Sequence, residues 1–167
     1  YQTQFLVAGL LTIFTNFGVS EEEYRSTLTL ASNGADRNTY NYSFAHHLDL
    51  LRQRGHTFPA DAEVTLQAEL QRNHVDPQAA VFLTNLREFG DQIIILSAGN
   101  QAFQLVKLEV SGLLPLVNEV VIVPTSDGKV KAVANWLSHR ATILFINDEI
   151  EQNTAVATAH PTVTVLG

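Results

Sequence analysis

The chain has 167 residues, 46% of them apolar and 16% charged, with a net charge of −7. That size and composition suit one α/β domain with room for a small second lobe, and they exclude an intrinsically disordered chain. The acidic balance without a basic run excludes nucleic acid and anionic membranes as natural partners, the absence of cysteine excludes disulfide and thiolate chemistry, and no apolar run reaches the roughly 18 residues of a membrane helix.

From the amino end, Phe5, Leu6, Leu10, Ile13, Phe14 and Phe17 recur at spacings of three and four, which predicts a helix with Gly9 as a weak point and Gly18 as a stop. Ser20 and Glu23 form a capping box for a second helix, which Asn33-Gly34 ends near Ser32. Further helices are expected from about Ser43 to Arg54 and from Asp61 to Arg72, so residues 1–74 hold helices and no strand. Asp76-Pro77 is a strong helix start, and that helix stops at Gly90. Beyond it the pattern alternates. Ile93–Leu96 is a short apolar run, three of its four residues β-branched, that reads as a strand buried on both faces, and the helix Gln101–Val110 follows. Val120–Val123 is a second strand, Thr125–Gly128 a turn and Lys129–Leu137 a helix. Thr142–Ile146 and Thr162–Leu166 are the last strands, with Glu149–Thr158 helical between them. Strands alternating with helices predict a parallel sheet with right-handed crossovers. The expected fold is therefore α/β: a Rossmann-like three-layer parallel sheet over residues 75–167 with an N-terminal helical cap lobe over residues 1–74.

In such sheets ligands bind beyond the carboxyl ends of the strands. Ser97, Ala98, Gly99 and Asn100 lie at one such end with a helix start behind them, which suits an anion. Asp148 follows another strand, and Lys129 or Lys131 opens the helix between two strands. Together, a hydroxyl, a cation and a carboxylate could hold a phosphate and a divalent metal ion. Taken singly, Ser97 and Asp148 read equally well as helix caps, and the lysines as solvated side chains.

That order resembles the haloacid dehalogenase-like (HAD) superfamily, whose pattern is a strand ending in Ser or Thr, a later Lys before a helix, and a strand ending in an acidic group. G-V-S-E-E-E-Y over Gly18–Tyr24 is similar to a phrase common in the family's cap. The resemblance implies a Mg²⁺-dependent hydrolase, most simply a phosphatase of a small phosphorylated molecule working through an aspartyl-phosphate. It makes Ser97 and Lys129 or Lys131 catalytic, places substrate against Ser97, Ala98, Gly99 and Asn100, and gives Mg²⁺ to Asp148 and Asn153. The chain departs from the family at one point: no Asp-x-Asp occurs in it. Either Phe5–Ile13 is a degenerate first strand with Ala8 and Leu10 in place of the acids, which would make a non-catalytic binding or regulatory protein, or the motif lies ahead of Tyr1. Helix periodicity and the absence of methionine favour the second, in which case this chain by itself is inactive.

No spacing among the histidines, including His46-His47 and His74, matches a metal pair. Tyr40, Tyr42 and Phe44 read as packing residues that could also line a substrate pocket under the cap. No positively charged leader precedes the apolar start, so a cytoplasmic protein is expected. The sequence leaves the oligomeric state open.

Overall fold

The computed structural model describes residues 3–32, 41–72, 75–139 and 142–167. Helices α1 (Thr3–Asn16), α2 (Glu21–Ser32), α3 (Phe44–Gln53) and α4 (Ala62–Leu70) come first. Leu6, Leu10 and Phe14 of α1 follow the helical period and meet Tyr24, Leu48, Leu51, Leu66 and Leu70 in one core. Ser20 caps α2 through the Glu23 N–H at 3.2 Å, and Ser43 caps α3 through the His46 N–H at 3.3 Å. Gly9 is a packing position and not a weak point: a Cβ there would run into the carboxylate end of the Glu69 side chain on α4, which would have to move aside. Because residues 3–16 are helical, Ala8 and Leu10 do not occupy a degenerate strand, and Leu10 is in the core. Asn33-Gly34, Tyr40 and His74 lie outside the described residues.

The second half alternates as expected. Helix α5 (Pro77–Glu88) is capped by Asp76 and is followed by β1 (Ile94–Ala98), α6 (Gln101–Ser111), a 3-10 turn (Leu114–Leu116) and β2 (Glu119–Val123). Then come α7 (Ser126–Leu137), β3 (Leu144–Ile146), α8 (Ile150–Ala159) and β4 (Thr164–Leu166). Helix α7 starts three residues before the expected Lys129. Thr125 is its cap, accepting from the Gly128 N–H at 3.1 Å, so the presumed turn is the first helical turn.

The strands do not join into one three-layer sheet. β1 pairs in parallel with β2, Ile94 opposite Glu119 through Ala98 opposite Val123, and β3 pairs in parallel with β4, Leu144 opposite Thr164 through Ile146 opposite Leu166. Among the described residues these are two separate two-stranded sheets. A second core of Val133, Phe145, Val156 and Val163, with Leu96 and Trp136 packed on it, bridges them from the α7 and α8 side. Helix α5 buries none of its residues, and its Phe82 is about half exposed.

Gly128 sets how closely α7 approaches β2. A Cβ there would meet Cβ of Val123 at 2.7 Å. Gly128→Val is expected to destabilise the chain by about 1–3 kcal/mol through overpacking, read as a lower denaturation midpoint. An unchanged midpoint would mean that α7 can shift outward freely.

Candidate functional site

The polar groups gather at the carboxyl ends of the strands. Ser97 is the penultimate residue of β1, opposite Ile122, and is half-buried. Lys129 sits in the first turn of α7, just beyond β2, and only 8% of it is exposed. Its ammonium donates to Oδ1 of Asn147 at 3.2 Å and to Oε1 of Gln152. Asn147 directly follows β3, so this contact brings the carboxyl ends of the two sheets to the same side. Burial pushes the Lys129 ammonium down from its ordinary pKa, and the carboxylates of Glu149 and Asp148 pull it back up. The result is a cation held by neutral oxygens, with two acids close enough to act on it.

Lys131, the other candidate, is exposed two residues further along α7. Asp148 is exposed between β3 and α8 and does not cap the helix, because the cap position belongs to Glu149. Asn153 turns inward. Its Oδ1 accepts from Nδ2 of Asn147 at 3.3 Å and its Nδ2 donates to the Asn147 carbonyl at 2.7 Å. Mg²⁺ requires a near-octahedral shell of oxygens. Here Asp148 offers one carboxylate and Asn153 is already engaged. Among the described residues no three acidic or imidazole side chains gather around a metal position. The residues present therefore do not make a Mg²⁺ site by themselves, and no chemical step below runs through the ion.

Around Ser97 the expected anion loop is largely occupied by structural contacts. Asn100 caps α6, its Oδ1 accepting from the Phe103 N–H at 3.1 Å, while its Nδ2 donates to Oδ1 of Asn41 at 3.0 Å. Gly99 adopts φ +143, and a Cβ there would lie 2.8 Å from Nε2 of Gln104. Beside Ala98 and Gly99 a cavity of about 340 Å³ opens between α1 and α6, bordered by Leu6, Tyr42, Phe103 and Lys107. Of the expected pocket aromatics, Tyr42 lines it. Phe44 instead packs edge-on against Tyr42 and Phe103.

Sequence reasoning missed Gln152 and Lys107. Gln152 and Val156 are both buried, one helical turn apart on α8. A polar residue on an otherwise apolar stripe was the available signal. Lys107 is a cation that burial pushes down in pKa. On α6 it follows an ordinary amphipathic pattern that gives no such signal.

No protein-family model matches the chain, and no curated protein sequence does. Among solved structures it is similar to a hydrolase from Streptococcus pneumoniae, at 13% identity and a TM-score of 0.55, with 96% of this chain and 82% of that one covered. At that identity the likeness is one of fold. Among the described residues no helix is long and apolar enough to cross a membrane.

Proposed function

We propose that this chain belongs to a hydrolase, specifically a phosphatase that acts on a small phosphorylated molecule through an aspartyl-phosphate. The observation that carries the reading is the bond from Lys129 to Asn147, which fixes a shielded cation where the strands end. The HAD-like order Ser97, Lys129, Asp148 supports it, as does a fold shared with a protein described as a hydrolase.

In this reading the nucleophilic aspartate is supplied by sequence ahead of Tyr1. Its carboxylate attacks phosphorus, the P–O bond to the leaving group breaks, and the departing alkoxide takes a proton from the second aspartate of the same upstream motif. Water then attacks phosphorus, its proton returns to that second aspartate, the P–O bond to the nucleophile breaks, and inorganic phosphate leaves. Ser97 donates its hydroxyl to a phosphoryl oxygen, and Lys129 balances the charge that builds up in the transition state. The helices α1–α4 shield the reaction from water, and the cavity beside Tyr42 and Phe103 receives the organic part of the substrate. The chain on its own lacks the nucleophile and is inactive.

The test uses the parent protein with its upstream sequence. It is expected to release phosphate from an aryl phosphate and to lose that activity on Asp148→Ala. No turnover across a broad panel of phosphate esters would sink the reading. Mg²⁺ dependence is decided separately: activity that EDTA abolishes and added Mg²⁺ restores supports the ion, and activity that survives EDTA removes it.

A further inference from the structure

The cavity of about 340 Å³ beside Ala98 and Gly99 is walled largely by hydrocarbon. Leu6 and Leu10 reach it from α1, Leu28 from α2 and Phe103 from α6, and Tyr42 closes one side. Three of the polar side chains on this wall are held by the protein itself. Asn100 accepts from the Phe103 N–H and donates to Asn41. Nε2 of Gln104 donates to the Ala98 carbonyl at 3.3 Å. The Tyr42 hydroxyl is bonded to Nδ1 of His47 at 3.0 Å, and His47 is not on the wall, so Tyr42 offers the cavity its ring. That ring meets Phe103 edge-on at 5.2 Å between centroids, so the two brace each other. Lys107, half-buried on α6, is the charged side chain at the border and suits a ligand that carries an anion and no cation.

We propose that this cavity selects a phosphate monoester of an apolar alcohol, alkyl or aryl, over the phosphate of a sugar or a nucleoside. The phosphate lies at Ser97, which directly precedes Ala98 and Gly99 on the wall, and the hydrocarbon end lies among Leu6, Leu10, Leu28 and Phe103. The phosphate end rests on the phosphatase reading, and the apolar end rests on the cavity alone. An apolar cavity of about 150 Å³ holds one benzene ring, so this one takes roughly a dozen non-hydrogen atoms. An apolar group of that size gains affinity with the area it hides from water. A sugar carries a hydroxyl on nearly every carbon. Each of these gives up water on entry and meets a wall whose amides are already bonded elsewhere, and a buried hydroxyl without a partner is costly. A nucleoside is also larger than the space. Tyr42 and Phe103 are then specificity-determining residues, because their rings, and no polar atom of theirs, face the substrate.

The experiment titrates this chain with naphthyl phosphate, naphthol and glucose phosphate by calorimetry. Naphthyl phosphate is expected to bind at least about a hundredfold more tightly than glucose phosphate, and naphthol is expected to bind and to compete with it. Val7→Phe and Leu28→Trp enlarge half-buried wall residues on α1 and α2. Each is expected to weaken naphthol by about tenfold or more, and because they sit on different helices, a folding failure in one leaves the other to be read. Glucose phosphate binding as tightly as naphthyl phosphate, or no binding of naphthol, overturns the proposal and leaves the phosphatase reading standing. Naphthol binding as tightly as its phosphate overturns it through that reading, because the phosphate then adds nothing. Undiminished naphthol binding in a folded variant also overturns it, because the ring then lies elsewhere.

Discussion

Lys129→Met in the parent protein is expected to lower phosphate release by about 10²–10³-fold, the loss typical of removing one preorganised charge-stabilising donor, while Lys131→Met leaves turnover unchanged. Met keeps the length of the side chain and removes its charge and its donors. Lys129 is buried against Asn147 and Gln152, whereas Lys131 is exposed to solvent, which screens its charge. The substitution also removes the donor that the Asn147 and Gln152 oxygens share. A stability loss of about 1–3 kcal/mol is therefore expected alongside the kinetic one and is read separately by denaturation. A fall in turnover confined to Lys131→Met would move the catalytic cation to the other lysine.

Acidification from pH 7 to pH 4 is expected to cost the folded chain about 3 kcal/mol through His47 alone. His47 is fully buried, with its ring centroid 4.7 Å from that of Phe14 and 5.6 Å from that of Tyr24. Thr27 Oγ1 lies 2.7 Å from the Glu23 carbonyl and spends its hydrogen there, so at 2.8 Å it accepts from Nε2–H of His47. Nδ1 is then the acceptor for the Tyr42 hydroxyl at 3.0 Å. Charging the ring would end the donation from Tyr42, whose hydrogen must then turn elsewhere, and would place a cation in a buried, largely apolar core. Burial accordingly holds the His47 pKa down to about 4, from an ordinary 6.5, with His46 adding repulsion. The unfolded chain takes up the proton first, so this contribution is complete above pH 6.5 and is lost as the pH falls from 6.5 to about 4. Chemical denaturation of the wild type and of His47→Gln across that window checks it. The variant should start out less stable and show a shallower decline, and parallel declines would show that other groups carry the acid sensitivity.

Much of this fold was legible in the sequence because its signals are local. Ile93–Leu96 is largely β-branched and runs into small residues, and Asp76-Pro77 and Ser20 are capping signals that the structure uses as such, while the Glu23 carboxylate lies against His56 at 2.8 Å. The start of α7 was not legible. Thr-Ser-Asp-Gly reads as a turn, and Gly128 is needed for contact with Val123, a residue outside its own helix. The choice between Lys129 and Lys131 depends on which one β3 and α8 cover, and two lysines two residues apart carry no trace of that. His46-His47 shows the same limit. Adjacent positions on a helix exclude a shared metal, yet the partners of His47 are Thr27, twenty residues back, and Tyr42. The division into two sheets was illegible for a related reason: strand periodicity says which faces are buried and nothing about which neighbour lies on each edge.

Phe103 has a consequence for how the two halves are joined. Its ring meets Tyr42 at 5.2 Å and Phe44 at 5.4 Å, both edge-on, where α6 leaves the sheet and touches the helical half. Edge-to-face packing at these separations is a favoured arrangement of aromatic rings. The bond from Asn100 to Asn41 lies close by, three residues along the chain. Phe103 therefore joins the helical half to the strand ends beside Ala98 and Gly99, and with Val106 it extends the first core onto α6.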